Sequence, residues 1–167
     1  MNGKITLAHG AGGKAYRELI QEVFLPAFSN DFLRPLTDSA VCDAGEKIAM
    51  TTDCYVIKPL FFPGGDIGRL CVCGTVNDLA VSGAVPKYIS VGMIIEAGFE
   101  IENLVRIVNS MAKAAKDAGV SIVTGDTKVV EGGGADGIFI NTAGVGVFSE
   151  ERLPIAQKVV PGDKIII

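Results

Sequence analysis

Tryptophan is absent from this chain, histidine occurs once, and none of the four cysteines stands in a Cys-x-x-Cys pair. Lysine and arginine are scattered rather than clustered, and the formal net charge is −4. There is therefore no basic, aromatic-laced footprint for nucleic acid. Any anionic ligand must be held by local features and not by the field of the whole protein. The cysteines stand at 42, 54, 71 and 73. Cys71 and Cys73 fall two apart in what reads as a helix, so they point about 200° away from each other and cannot share a metal there. With only His9 to help them, the cysteines read as reduced thiols rather than zinc ligands. Long apolar runs are missing as well. Each is broken by Gly, Asn, Asp or Lys within about a dozen residues, short of the ~20 that a membrane span requires. The opening residues lack the basic and apolar regions of a secretory signal. The expectation is a cytoplasmic protein that binds neither nucleic acid nor membrane.

What is present is a globular composition. Apolar residues make up 49% and charged residues 20% of 167 positions, enough for one domain with a real core. Leu19, Ile20, Val23 and Phe24 recur at helical spacing opposite Arg17, Glu18, Gln21 and Glu22, and Pro26 limits that helix. Residues 29–46 read as an exposed, mobile loop. A strand follows over about 47–53, running on as far as Ile57. The stiff connector Pro59-Leu-Phe-Phe-Pro-Gly-Gly-Asp66 leads into a helix over 67–82 that is apolar almost all round and so expected to be buried. Lys87 to Glu96 reads as a strand, and 101–118 as an amphipathic helix stopped by Gly119. Strands over about 120–131 and 137–148, joined by Glu-Gly-Gly-Gly-Ala-Asp, carry a hairpin signal. The final Pro-Gly-Asp-Lys-Ile-Ile-Ile is a turn and a strand stopping mid-run, as if the natural chain continues. The coarse order is mixed α and β with part of the sheet antiparallel.

Three aspartates stand in apolar surroundings. Asp53 ends a strand after two threonines, Asp78 lies inside the apolar helix, and Asp126 sits between Gly125 and Thr127. A lone buried carboxylate costs several kcal/mol unless it is paired, metal-bound or protonated. Three of them point to a shared cation, and an oxygen-only set suits Mg²⁺. The competing reading is that each merely caps a turn or helix. His9-Gly-Ala-Gly-Gly-Lys14 directly precedes a helix, where free amides bind anions. It is not a Walker A loop, and a tight turn explains it equally well. His9 is either a ligand contact or a turn residue. Asp66 opens a helix as an N-cap. Lys128, two residues after Asp126, is the best-placed cation for polarising a phosphoryl group; its plainer role is a surface lysine. Asn141 and Thr142 either line a nucleotide pocket or pair across the hairpin.

The run Thr51-Thr-Asp-Cys-Tyr-Val-Ile-Lys-Pro-Leu-Phe-Phe-Pro-Gly-Gly-Asp-Ile-Gly68 resembles the HypE family of hydrogenase maturation proteins. So do Cys73-Gly-Thr-Val-Asn-Asp-Leu-Ala80, Val123-Thr-Gly-Asp-Thr-Lys-Val-Val130, Gly137-Ile-Phe-Ile-Asn-Thr-Ala-Gly144 and the opening Leu7-Ala-His-Gly-Ala-Gly-Gly13. That family is related to aminoimidazole ribonucleotide synthetase, selenophosphate synthetase and thiamine-monophosphate kinase. The resemblance implies an α+β domain over 1–160, with a largely antiparallel sheet, helices on one side, and sheets of two subunits pairing in a homodimer. Residues 161–167 would be a linker and the first strand of a second domain. ATP would lie at the subunit interface, with Mg²⁺ on Asp53, Asp78 and Asp126 and with Lys128 catalytic. The implied nucleotide contacts are His9, Gly10, Gly12, Gly13, Lys14, Thr52, Asp66, Asn77, Thr127 and Asn141. Cys54 stands where this family commonly has serine.

The implied activity is an ATP-dependent carbamoyl dehydratase. It turns a thiocarbamate on the protein's own C-terminal cysteine into a thiocyanate, the source of cyanide for [NiFe]-hydrogenase. The implied partners are a HypF-like carbamoyltransferase and a HypC–HypD scaffold. Lacking the second domain and that cysteine, these residues alone are expected to be inactive. A selenophosphate synthetase would carry a reactive cysteine in its opening, and residues 8–14 hold none. A thiamine-monophosphate kinase would lack the 59–66 block in this form. The remaining alternative is a dimerisation or docking module that uses the Glu18/Glu22 face and the 29–46 loop.

Overall fold

The computed structural model describes residues 3–34, 47–148 and 160–164. The expected mobile segment therefore lies largely, over 35–46, outside the described residues, as do the last three residues of the expected linker strand. A short 3₁₀ turn, Leu7–Gly10, precedes α1 (Lys14–Leu19). The helix continues through a π-type turn, Ile20–Phe24, into α2 (Leu25–Phe28), which ends two residues after Pro26. Then come β1 (Ile48–Tyr55), the two-residue strands β2 (Phe61–Phe62) and β3 (Gly65–Asp66), and α3 (Ile67–Val81). The chain closes with β4 (Val85–Glu96), α4 (Ile101–Ala118), β5 (Ser121–Val130) and β6 (Ile138–Val147).

The main sheet has the order β1-β6-β4-β5. β6 pairs antiparallel with both β1 and β4, whereas β5 runs parallel to β4. A parallel pair needs a long crossover, and α4 provides it. This overturns the hairpin expected of β5 and β6, which are separated by β4. The glycine-rich connection instead passes the end of β4, where the Glu96 carboxylate accepts the amides of Gly133 and Gly137. A Gly-rich link of this length is not by itself a hairpin turn, because β4 competes for β6 and offers a longer apolar face.

Strand alternation gives the sheet two unlike faces. On β6, Ile138, Ile140, Thr142, Gly144 and Gly146 are buried under α3 and α4, while the intervening residues are half-buried or exposed. α4 supplies Ile101, Leu104, Ile107, Val108 and Met111 at three- and four-residue spacing to this core. Gly119, at φ 68°, ends it with its amide on the Ala115 and Lys116 carbonyls. The nearly all-apolar α3 is not buried all round. Leu70 and Val81 are 37% and 70% exposed, and Asn77 and Asp78 lie on the solvent side. Among the described residues no helix is long and apolar enough to cross a membrane.

Candidate functional site

The three aspartates do not share one environment, and the burial expected of them fails for two. Asp78 and Asp126 are exposed and Asp53 is half-buried. Helix and strand periodicity turns each toward a boundary, so desolvation is not what distinguishes them. Asp53 and Asp78 belong to the β1 edge. Thr51, Asp53 and Tyr55 share the helix-side face of β1. The Thr51 hydroxyl donates to Asp78 Oδ2 at 3.0 Å, and the Tyr55 hydroxyl donates to Asp53 Oδ2 at 2.8 Å. Tyr55 rests on Gly74, where a Cβ would come 2.2 Å from its oxygen. Since Gly74 and Asp78 are one turn apart on α3, Asp53 lies against the stretch of helix between them. Behind it the Thr75 and Thr142 hydroxyls bond to each other, fully buried. Burial, together with the Asp53 carboxylate, pushes the Tyr55 hydroxyl up to about 12.

Asp126 occupies the opposite edge strand, β5, three strand spacings or about 14 Å away, and on the other face. The glycine-rich opening also lies there. A Cβ on Gly10 would sit 2.7 Å from the Val129 amide, so only glycine permits that approach. His9 is buried as a turn residue, its Nδ1 accepting the Thr6 amide at 3.0 Å. Gly13 stands at the N-cap of α1, and Lys14 is exposed and 3.7 Å from Glu18. Beside this edge is a cavity of about 620 Å³, lined in part by Gly12, Tyr16, Arg17, Asp126 and Thr127 and, from the sheet, by Val91, Met93 and Ile122. Burial and then the Asp126 charge raise the Tyr16 hydroxyl above its usual range.

The two edges are joined across the open face. Register places Cys54, Asn141, Gly92 and Asp126 in one row spanning all four strands. With no side chain at Gly92, the row is a shallow trough of about 440 Å³ that also borders Lys128. Asn141 Nδ2 donates to the Asp53 carbonyl at 2.9 Å, to Thr52 Oγ1 at 3.2 Å and to Cys54 Sγ at 3.2 Å. The Thr52 hydroxyl in turn donates to the Thr142 carbonyl. Asp66 is elsewhere. It caps α3 by accepting the Arg69 amide at 2.9 Å, twelve residues or about 18 Å along the helix from Asp78.

Sequence reasoning missed Tyr55, Tyr16, Arg17 and Gly92. Two of these carried a signal: Tyr55 shares its strand face with Asp53, and Gly92 interrupts an otherwise large-residue strand. Among the described residues no three His, Cys, Asp or Glu side chains gather to hold an ion. The donor set still suits Mg²⁺, a hard cation that takes one or two carboxylates plus phosphate oxygens. One chain offers such carboxylates at each edge and never all three together.

The family profile "AIR synthase related protein, N-terminal domain" matches residues 36–148. The carbamoyl dehydratase HypE of Rhizobium leguminosarum bv. viciae is 53% identical over 99% of this chain and 48% of its own length. A hydrogenase maturation protein HypE solved in complex with ATP superposes with TM-score 0.85 at 51% identity, covering 86% of this chain and 43% of that one. A HypE–HypF complex contains a chain that matches with TM-score 0.63 at 56% identity, over 81% and 44%. This chain thus spans about half the length of the relatives it matches. With the profile matching well over half of its residues, the chain belongs to the AIR synthase related family, as an N-terminal domain.

Proposed function

We propose that this domain forms the ATP- and Mg²⁺-binding half of a cytoplasmic carbamoyl dehydratase, and that it works as a homodimer. The observation that carries the reading is the likeness to the ATP-bound structure over most of the chain. Its geometry favours a composite site. Asp53 and Asp78 lie at one edge of the sheet, and Asp126, Lys128 and the glycine-rich opening at the other. When the sheets of two copies pair, the β1 edge of one meets Asp126 and Lys128 of the partner subunit. The cavity beside Gly12 and Arg17 has a volume in the range of nucleotide pockets. Of the other implied contacts, Gly10, Gly13, Lys14 and Thr127 lie at this edge. Thr52 lies on β1 and Asn141 beside it on β6, Asn77 is exposed on α3, His9 shapes the opening, and Asp66 stays a helix cap.

Bound Mg²⁺ neutralises triphosphate charge, and ATP supplies the phosphoryl group that makes a carboxamide oxygen a leaving group. The oxygen of a thiocarbamate bonds to the γ-phosphorus as ADP departs. Two protons then leave nitrogen as the carbon–oxygen bond breaks, giving thiocyanate and phosphate. Lys128, which forms no ion pair with a described residue, is the cation for the developing phosphoryl charge. The Asn141 carboxamide oxygen, with no described donor, is open to a substrate N–H. Positioning and charge neutralisation supply most of the acceleration in such transfers. Residues 161–167 would be the linker and first strand of the second domain, which with the substrate-carrying cysteine belongs to the full-length protein. A HypF-like carbamoyltransferase is the partner, a pairing supported by the HypE–HypF complex; in this reading it loads the cysteine and a HypC–HypD scaffold receives the cyanide. Neither a selenophosphate synthetase nor a thiamine-monophosphate kinase is favoured, given the 53% identity to a carbamoyl dehydratase over 99% of this chain.

The test is Mg-ATP calorimetry on the intact protein, with molar mass by light scattering. Asp78→Ala and Asp126→Ala should each weaken binding at least ~10-fold while leaving the dimer intact. Mixed and re-equilibrated, the two variants should recover about a quarter of the sites, because half the dimers are mixed and each holds one unmutated site. No recovery on mixing would sink the two-chain site.

A further inference from the structure

Tyr55 has no part in the function as stated, yet its surroundings are built around its hydroxyl. The ring lies over α3 at Gly74, the one residue type that leaves space there. A Cβ would stand 2.2 Å from the hydroxyl oxygen and 3.2 Å from Cζ. Thr75, next along the helix, is tied to Thr142, the residue opposite Asp53 in the sheet. Tyr55 against Gly74 and Thr75 against Thr142 thus bring α3, β6 and the edge strand together around Asp53. The Tyr55 hydroxyl donates to Asp53 Oδ2 at 2.8 Å, and Asp53 Oδ1 takes no hydrogen bond from a described residue. A carboxylate on an edge strand is otherwise free to rotate. Here one oxygen is fastened and the other is left without a donor among the described residues.

We propose that Tyr55 is a positioning residue for Asp53: seated in the notch at Gly74, it fixes one carboxylate oxygen and presents the other to the cation that accompanies a nucleoside triphosphate. The inference rests on the metal site proposed above and extends it to the group behind the ligand. Partners that orient a metal ligand commonly alter metal affinity by 10-fold or more when removed. Gly74 then has a functional reason as well as a steric one, since any side chain there would push the hydroxyl off the carboxylate.

The test measures, in the intact protein, the Mg²⁺ concentration that half-saturates ATP binding, alongside ATP binding in chelator and the thermal midpoint. Tyr55→Phe keeps the ring and removes the donor. It should raise the Mg²⁺ requirement about 10-fold, leave metal-free ATP binding unchanged and move the midpoint by no more than about 3 °C. Gly74→Ala should reproduce the shift. Alanine favours a helix over glycine, so lost helix stability would not explain it. Asp53→Asn separates the two levels. If it leaves the Mg²⁺ requirement untouched, the metal site is wrong and the Tyr55 role falls with it. If it abolishes the requirement while Tyr55→Phe and Gly74→Ala bind Mg²⁺ like the unmodified protein, the metal site stands and the positioning role is overturned. A lower midpoint in Tyr55→Phe without a change in Mg²⁺ requirement would likewise overturn it, leaving Tyr55 a structural contact.

Discussion

The two faces of the same four strands have been put to opposite uses. Under α3 and α4 the face is filled by the chain itself, and the cavity beside the glycine-rich opening borders Val91, Met93 and Ile122 of the same face. Ile89, Ile95, Ile138 and Ile140 are at most 1% exposed. No buried side-chain nitrogen or oxygen among the described residues is left without a partner. On the other face Cys54, Asn141, Gly92 and Asp126 form a polar row with an open centre, flanked by Met50 and Ile94 at 72% and 42% exposure. A period of two lets one strand close a core and hold open a site at once. Beneath α3 and α4 the covered face is closed by packing, whereas the polar row of the other face stays open to solvent.

Thiol chemistry reads this difference most sharply. Cys71 lies on α3 under the covered face, fully buried, with its Sγ donating to the Gly68 carbonyl. Burial pushes this thiol up to about 12, so at pH 8 only about one molecule in ten thousand carries the reactive thiolate. Cys54 stands exposed on the open face. Alkylation at pH 8 followed by mass spectrometry should modify Cys54 on the order of 1,000 times faster than Cys71, and denaturant should bring the rates together. Comparable rates in the native protein would mean that α3 opens readily and that the covered face is not closed.

Glycine substitution gives the next largest contrast. A Cβ on Gly144 of β6 would approach Thr75 Cγ2 to 2.6 Å and Leu79 Cδ1 to 3.0 Å, both beneath α3. A Cβ on Gly92 of β4 would meet nothing nearer than 4.0 Å. Gly144→Ala should therefore cost about 2 kcal/mol in denaturant unfolding, by overpacking. Gly92→Ala should stay within about 0.5 kcal/mol, its effect falling on ligands that enter the trough. Equal costs would erase the distinction between the faces.

How far these features were legible in the sequence follows the range of the forces behind them. The α4 stripe, the Gly119 stop and the strand around Lys87 to Glu96 were readable because each depends on near neighbours. The β5–β6 pairing misled because local turn chemistry cannot report that a third strand, β4, will sit between them. Asp53, Asp78 and Asp126 could be picked out as unusual, but the reason given, burial, was wrong for Asp78 and Asp126. Periodicity states which residues share a face and not how far across the sheet they lie. The split of the aspartates between two edges thus emerged only from strand order. Tyr55 escaped because its importance lies in a missing Cβ at Gly74, 19 positions away.

The smallest expected effect lies at the end of β4, where the connection that replaces the hairpin is held by Glu96. Its carboxylate accepts the amides of Gly133 and Gly137, and these two bonds hold its pKa below the usual carboxylate range. A group whose pKa is lowered on folding adds stability at pH above its unfolded value, near 4.5, and loses it as pH falls through the folded value. Glu96→Gln removes the charge and leaves only one carbonyl oxygen for two amides. The midpoint should fall by only about 2 °C at pH 7, since water screens this half-buried group. Scanned from pH 7 to pH 3 by thermal unfolding, the gap between the two proteins should narrow below about pH 4.5 and close in acid. A gap that widens with acid would show that Glu96 binds its proton more readily folded than unfolded, and that the loop is held by something other than this carboxylate. A gap at pH 7 as large as the cost of Gly144→Ala would show that the open end of the sheet is as tightly built as the covered face.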